Sequence, residues 1–229
     1  MSGIFVLIKI TDKEEHAIQL QQGIIHANRV SWFRKKEYDE LDGVGQMKKM
    51  KETIFKIAGR DMTPYLPDPI TIYTDEISNL NVFCMTAVQP GPFHDEIITD
   101  DNYNEYINYL KIDERCRKEF GENAVVFMGD GITEFLKRVR RSADSKGYEV
   151  LMNLVEYFDP QVQLEINPFT ITPMFYKRDQ FKYQKEFRIA INTKTVGNDP
   201  LRLDIGNIED ISFRMGTNEI NNKMSISFK

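Results

Sequence analysis

The absences in this chain narrow its chemistry first. Cysteine is scarce, with Cys84 and Cys116 alone, too few for a disulfide framework and suggestive of a reducing interior. Neither thiol combines with His16, His26 or His94 at CxxC, HxxxH or HxxE spacing, so no standard metal site is expected. There is no Walker loop and no EF-hand loop, and the glycines from Gly121 to Gly131 lack phosphate-cradling spacing. Long apolar runs are missing too. Ile4 to Ile8 is halted by Lys9, short of a signal-peptide core and far short of a membrane span. Nor is there a basic excess. The net charge is −5 and the pI about 5.4, which argues against a general duplex-binding surface. The expectation is a cytoplasmic protein with no membrane association.

What remains is an ordinary globular composition. The 229 residues are 41% hydrophobic and 28% charged, with 15 Phe and 10 Tyr, enough to bury a sizeable core. No Gly/Ser-rich linker divides the chain, so a single domain over 1–229 is expected. The predicted class is α+β, with mixed, mainly antiparallel sheet, about four to six helices and a strand-rich last third.

Periodicity supplies the elements. Ile4 to Ile8 reads as a buried strand. Asp12 and Glu15 form a capping-box pattern for a helix through Gln22, closed by Gly23. Strands are predicted at Ile24 to Asn28, Ile70 to Tyr73, Asn81 to Ala87, Ala124 to Met128 and Tyr148 to Phe158. Ser31 caps a helical turn carrying Trp32 and Phe33. Met47, Met50, Ile54 and Ile57 recur at helical spacing, which predicts an amphipathic helix from Met47 to Ala58. Tyr103, Tyr106, Ile107 and Leu110 predict another, entered by Asp100 and Asp101. Ile132, Phe135, Leu136, Val139 and Ala143 give the clearest helix in the chain. From Ile166 onward the pattern is nearly all β: about Thr172 to Tyr176, Tyr183 to Asn192, Leu201 to Ile205, Ile208 to Met215 and Met224 to Phe228.

One polar face stands out. On a strand through Tyr183–Asn192, Gln184, Glu186 and Arg188 share one side while Phe187, Ile189 and Ile191 take the other. Such a face suits a binding or catalytic cleft. It also suits a solvated strand whose Glu–Arg pair contributes about 0–1 kcal/mol. Lys177 in Tyr176–Arg178 lies just upstream, and Phe181 and Tyr183 are placed to stack on a planar ring. Lys137, Arg138, Arg140 and Arg141 form a basic outward face on the helix from Ile132, either solvated or available to phosphates or an acidic partner. The stretch from Asp95 to Glu122 is the opposite, with nine acids against four bases.

Short motifs carry two resemblances. Gly23-Ile-Ile-His-Ala-Asn28 with Trp32-Phe33, Asn81 to Met85, Phe120-Gly121 before Ala124 to Val126, Tyr183 to Arg188, and Leu203 to Ile211 resemble a family of phage and bacterial proteins of unknown function. That likeness implies a cytoplasmic protein from a phage, a mobile element or a bacterial defence locus and brings no activity with it; the expected role is an interaction or effector protein acting on a host or phage defence component, with another protein as its partner. Lys9, Cys84-Met-Thr86 and Gln184-Lys-Glu186, with Phe181 and Tyr183, also resemble ADP-ribosyltransferases of the arginine–serine–glutamate class, although Lys replaces Arg and Cys-Met-Thr replaces Ser-Thr-Ser. That resemblance implies NAD as cofactor, Glu186 stabilising an oxocarbenium-like ribose, Gln184 contacting the acceptor, and Thr86 supporting Glu186. It requires Lys9, Thr86 and Glu186 to converge on one hollow. A third reading is RNA or single-strand binding through Lys137 to Arg141 and the Tyr176–Arg188 segment.

Overall fold

The computed structural model describes residues 3–36, 40–47, 54, 56–65, 70–159, 166–167 and 169–223. Its centre is an antiparallel sheet drawn from both ends of the chain. Strand β1 (Val6–Thr11) leads through helix α1 (Glu14–Gln21) to β2 (Ile24–Arg29) and α2 (Val30–Lys36). An excursion follows: β3 (Gly45–Met47), the hairpin β4 (Lys56–Ile57) and β5 (Arg60–Asp61), then β6 (Ile70–Ile72), which pairs back on β3. Helix α3 (Asp75–Ser78) precedes β7 (Asn81–Val88), and α4 (Tyr103–Leu110) and α5 (Glu114–Phe120) precede β8 (Asn123–Met128). Helix α6 (Asp130–Asp144) then leads to β9 (Glu149–Leu154), β10 (Glu156–Phe158), β11 (Tyr176–Arg178), β12 (Glu186–Asn192), β13 (Leu201–Asp204), β14 (Phe213–Gly216) and α7 (Thr217–Lys223). The fold is α+β, as the sequence predicts, with seven α-helices among the described residues.

The strand order is β13-β2-β7-β1-β8-β14, with β12 on the other side of β7 and β9 beyond it. One edge of β7 serves two partners. Thr86 to Val88 pair with β1, while Asn81 and Val82 pair with β2. Between these contacts the neighbours splay apart, and Lys9 Nζ bridges the gap by donating to the Cys84 carbonyl at 2.9 Å. A long ammonium side chain thereby satisfies a backbone acceptor that no strand reaches.

Alternation sorts side chains onto two faces. Leu7, Phe83, Met85, Ala87, Val125, Phe127, Phe187, Ile189 and Ile191 pack with α1 and α6 in the main core. The opposite face carries two smaller clusters. Val6, Ile8, Ile10, Val88, Ala124 and Val126 meet α4, α5 and α7, while Val82 and Ala190 meet α2, α3 and the 3-10 turn Thr172–Phe175. Between the two clusters lie Thr86, Cys84, Glu186 and Arg188.

Several expectations change. Where Met47 to Ala58 is described it is extended or turning, with Ala58 at φ 49° and Gly59 at φ 79° closing a hairpin. Residues 48–53 and 55 of that predicted helix lie outside the described residues, as does the predicted strand from Met224 to Phe228. The long strand Tyr148–Phe158 divides at Val155, whose N–H donates to the Glu186 carbonyl at 2.9 Å, and its second half pairs parallel with β11 in a separate two-stranded sheet. The strand expected from Thr172 is a 3-10 turn, and β14 begins only at Phe213. Asp12 does not cap α1. Its carboxylate pairs with His16 Nδ1 at 2.9 Å, and Lys13 occupies the cap position.

Gly23 closes α1 as the sequence implies. Its φ is +93°, and a Cβ there would lie 2.0 Å from the Gly206 carbonyl oxygen. Gly23→Ala is therefore expected to cost about 2–4 kcal/mol through strain and steric overlap, measured as a lower urea midpoint with unchanged slope.

Candidate functional site: a buried charge network

The polar face singled out in the sequence exists, but it begins at Glu186. Gln184 ends a 3-10 turn, Asp179–Gln184, and Lys185 follows in the left-handed region at φ 46°. This kink turns the chain into β12. There Glu186 lies directly opposite Thr86 across the β7 pairing, and Arg188 lies opposite Cys84.

Glu186 is buried, with its side chain 6% exposed. Oε1 accepts from Arg188 Nε at 2.8 Å, and Oε2 accepts from Arg188 Nη2 at 3.1 Å and from Lys177 Nζ at 3.3 Å. Lys177 also donates to Gln184 Oε1 at 2.8 Å. Arg188, 1% exposed, completes a fork on Asp42 at 2.6 and 2.9 Å and donates to the Met174 carbonyl at 2.8 Å. The Tyr157 hydroxyl accepts from the Glu186 backbone N–H at 2.8 Å. Two cations and two carboxylates thus neutralise each other inside the fold.

The electrostatics follow from this geometry. Burial alone would raise the Glu186 carboxyl, but Arg188 and then Lys177 outweigh it and hold the group well below the usual carboxylate range. Burial opposes the charge on Arg188, yet Asp42 and Glu186 hold its pKa well above the ordinary value. Burial and the neighbouring Glu186 push the Cys84 thiol up, so it stays protonated and is a poor nucleophile. Burial also lowers the Lys185 ammonium to about 8. That ammonium donates to the carbonyls of Tyr109 and Lys111 at the end of α4.

The structure brings Glu186, Gln184, Thr86, Arg188 and Lys177 together. It does not bring Lys9 to them. Lys9 alternates with Ile8, whose cross-strand partner is Thr86, so the sheet lies between Lys9 and Glu186. Lys9 Nζ instead lies 4.8 Å from the centre of the Phe83 ring, on the side of the main core. The rings offered for stacking already have cations of this chain against them: Lys177 at 4.7 Å and Arg178 at 5.6 Å from Phe181, and Arg115 at 3.9 Å from Tyr183. The Tyr183 hydroxyl donates to Glu119 at 2.5 Å.

On α6, Arg138 is held by Glu134 and Asp210, which it meets at 2.9 and 2.7 Å, and by the Asn207 carbonyl. Lys137, Arg140 and Arg141 are exposed. Among the described residues no three of His, Cys, Asp and Glu gather as metal ligands, and no helix is long and apolar enough to cross a membrane.

Asp42 and Tyr157 are the members that sequence reasoning missed. An arginine inside Phe187-Arg-Ile-Ala-Ile191 signals that some carboxylate must meet it. Nothing local says which one, since Asp42 lies 146 residues away in the chain.

Comparison of the chain with protein-family models, curated proteins and solved structures finds no match.

Because the folded carboxyl of Glu186 titrates below its unfolded value of about 4.3, its contribution is complete above about pH 5 and is lost as pH falls through and below the ordinary carboxylate range. Glu186→Gln is expected to cost about 3–5 kcal/mol at neutral pH by leaving buried positive charge uncompensated. It is also expected to flatten the acid limb of the stability profile. Urea unfolding of both proteins across this pH range reads both effects.

Proposed function

We propose that this chain is a non-catalytic interaction protein. One observation carries the reading: both oxygens of Glu186, the carboxylate best placed for chemistry, are occupied by cations of the same chain inside the fold. A catalytic carboxylate must strengthen its interaction with substrate as the transition state forms. Here any such gain would come at the expense of Arg188 and Lys177, each 1% exposed, and breaking their pairing costs several kcal/mol. The fork from Arg188 to Asp42 also has an evident structural use, since it fastens the loop before β3 to the sheet. The likeness to phage and bacterial proteins directs such a binder toward a host or defence component.

The transferase reading retains the direct pairing of Thr86 with Glu186, but it lacks Lys9 on that face. The two readings separate in one assay. Incubation with NAD is expected to release no nicotinamide above the protein-free blank. Release that disappears in a folded Glu186→Gln variant would overturn the proposal.

A further inference from the structure

Strand β9 ends the main sheet. It pairs with β12 on one side and with no strand on the other among the described residues. The Val155 N–H donates to the Glu186 carbonyl at 2.9 Å, which fixes the phase of the ladder. Backbone groups of Glu149, Leu151 and Asn153 therefore face β12, and those of Val150, Met152 and Leu154 face outward. The outward N–H groups at the two ends are already spent. Leu154 donates to Asn153 Oδ1 at 2.9 Å, and Tyr148, just before the strand, donates to the Ala143 carbonyl at 3.0 Å. The N–H and C=O groups of Val150 and Met152 meet no partner among the described residues.

Between these two residues, Leu151 takes the sheet's second face beside Ala190 and is 42% exposed. The strand reads Glu-Val-Leu-Met-Asn-Leu, with no lysine, arginine or proline to blunt its edge. The other strands of the main sheet with one neighbour are blunted. Strand β13 follows Pro200 and exposes Arg202 and Asp204, and β14 exposes Arg214.

We propose that β9 is a homodimer interface, pairing antiparallel with β9 of a second copy about a two-fold axis at Leu151. Val150 then lies opposite Met152 of the copy, and Met152 opposite its Val150, so the free donors and acceptors of both chains consume each other. The next pair outward, Tyr148 with Leu154, has no N–H left to donate, and the ladder ends where the free groups end. Leu151 meets its own counterpart in a pair without hydrogen bonds, where side chains lie closest, and the exposed leucine is covered. Glu149 falls opposite Asn153, so no like charges are opposed, and Lys194 already pairs with Glu149 at 3.2 Å. A foreign strand would use the same hydrogen bonds, but only the chain's own strand supplies the matching leucine and the matching spent ends by symmetry. The inference goes beyond the non-catalytic reading and stands whether or not the chain cleaves NAD.

Sedimentation at physiological salt, where repulsion between two chains of net charge −5 is screened, reads the mass. The contact is small, so the expected result is a rise from 26.8 kDa toward twice that value over about 1–100 µM. Leu151→Lys opposes two ammonium groups and is expected to weaken the dimer at least about tenfold. Phe213→Lys, at an exposed residue on the β14 edge, leaves it unchanged. Register is read by cross-linking with oxidised glutathione as the electron acceptor. Leu151→Cys places two thiols on Cα atoms about 4.5 Å apart, within disulfide range, and is expected to give a reducible dimer. Asn153→Cys, opposite Glu149 of the copy, is expected to give no more than the wild type with Cys84 and Cys116 alone. Circular dichroism melts establish that the variants are folded.

Three outcomes overturn the proposal. One is a mass of 26.8 kDa throughout this range, the result expected if the edge serves a strand of another protein. Another is a dimer that withstands Leu151→Lys or is lost in Phe213→Lys. The third is equal cross-linking of the two cysteine variants.

Discussion

The rest of this structure depends on the guanidinium of Arg188. It meets Glu186 on its own strand, Asp42 in the loop before β3 and the carbonyl of Met174 in a 3-10 turn. One side chain thereby fastens two segments outside the sheet to the same point on it. Lys177 extends the tie to β11, and Tyr157 extends it to β10. A charge at such depth carries a large desolvation cost and persists only when its partners are fixed around it. The network therefore acts as a register pin for irregular chain.

That constraint organises the sheet's second face. Apolar packing fills the region over β1 and β8 and the region over Val82 and Ala190, and the charged band runs between them. A ligand pocket here would have to open between two clusters that the network holds in place.

Much of the frame was legible in the sequence because periodicity reports burial directly. Strands β2, β7 and β8 and helix α6 fall where alternation or helical spacing puts them. The failures have specific causes. Met47, Met50, Ile54 and Ile57 mimic a helical stripe, while the turn signal at Ala58-Gly59 decides in favour of a hairpin where that segment is described. Gln184 reads as strand by alternation with Glu186, but Lys185 in the left-handed region breaks the run. The pairing of Glu186 with Arg188 was visible as an i, i+2 face. The role of Asp42 was not, because a long-range ion pair leaves no local pattern. Lys9, read as halting the first apolar run, lies within β1, and only the order of strands reveals which face it takes.

A double-mutant cycle between Asp42→Asn and Arg188→Gln tests the central claim most directly, since it isolates the coupling between the two residues from the cost of altering either. The account predicts a coupling free energy of about 2 kcal/mol or more, with the second substitution adding little once the first is made. Strictly additive losses, with coupling below about 0.5 kcal/mol, would mean that the buried fork does not hold the loop to the sheet, and would contradict it.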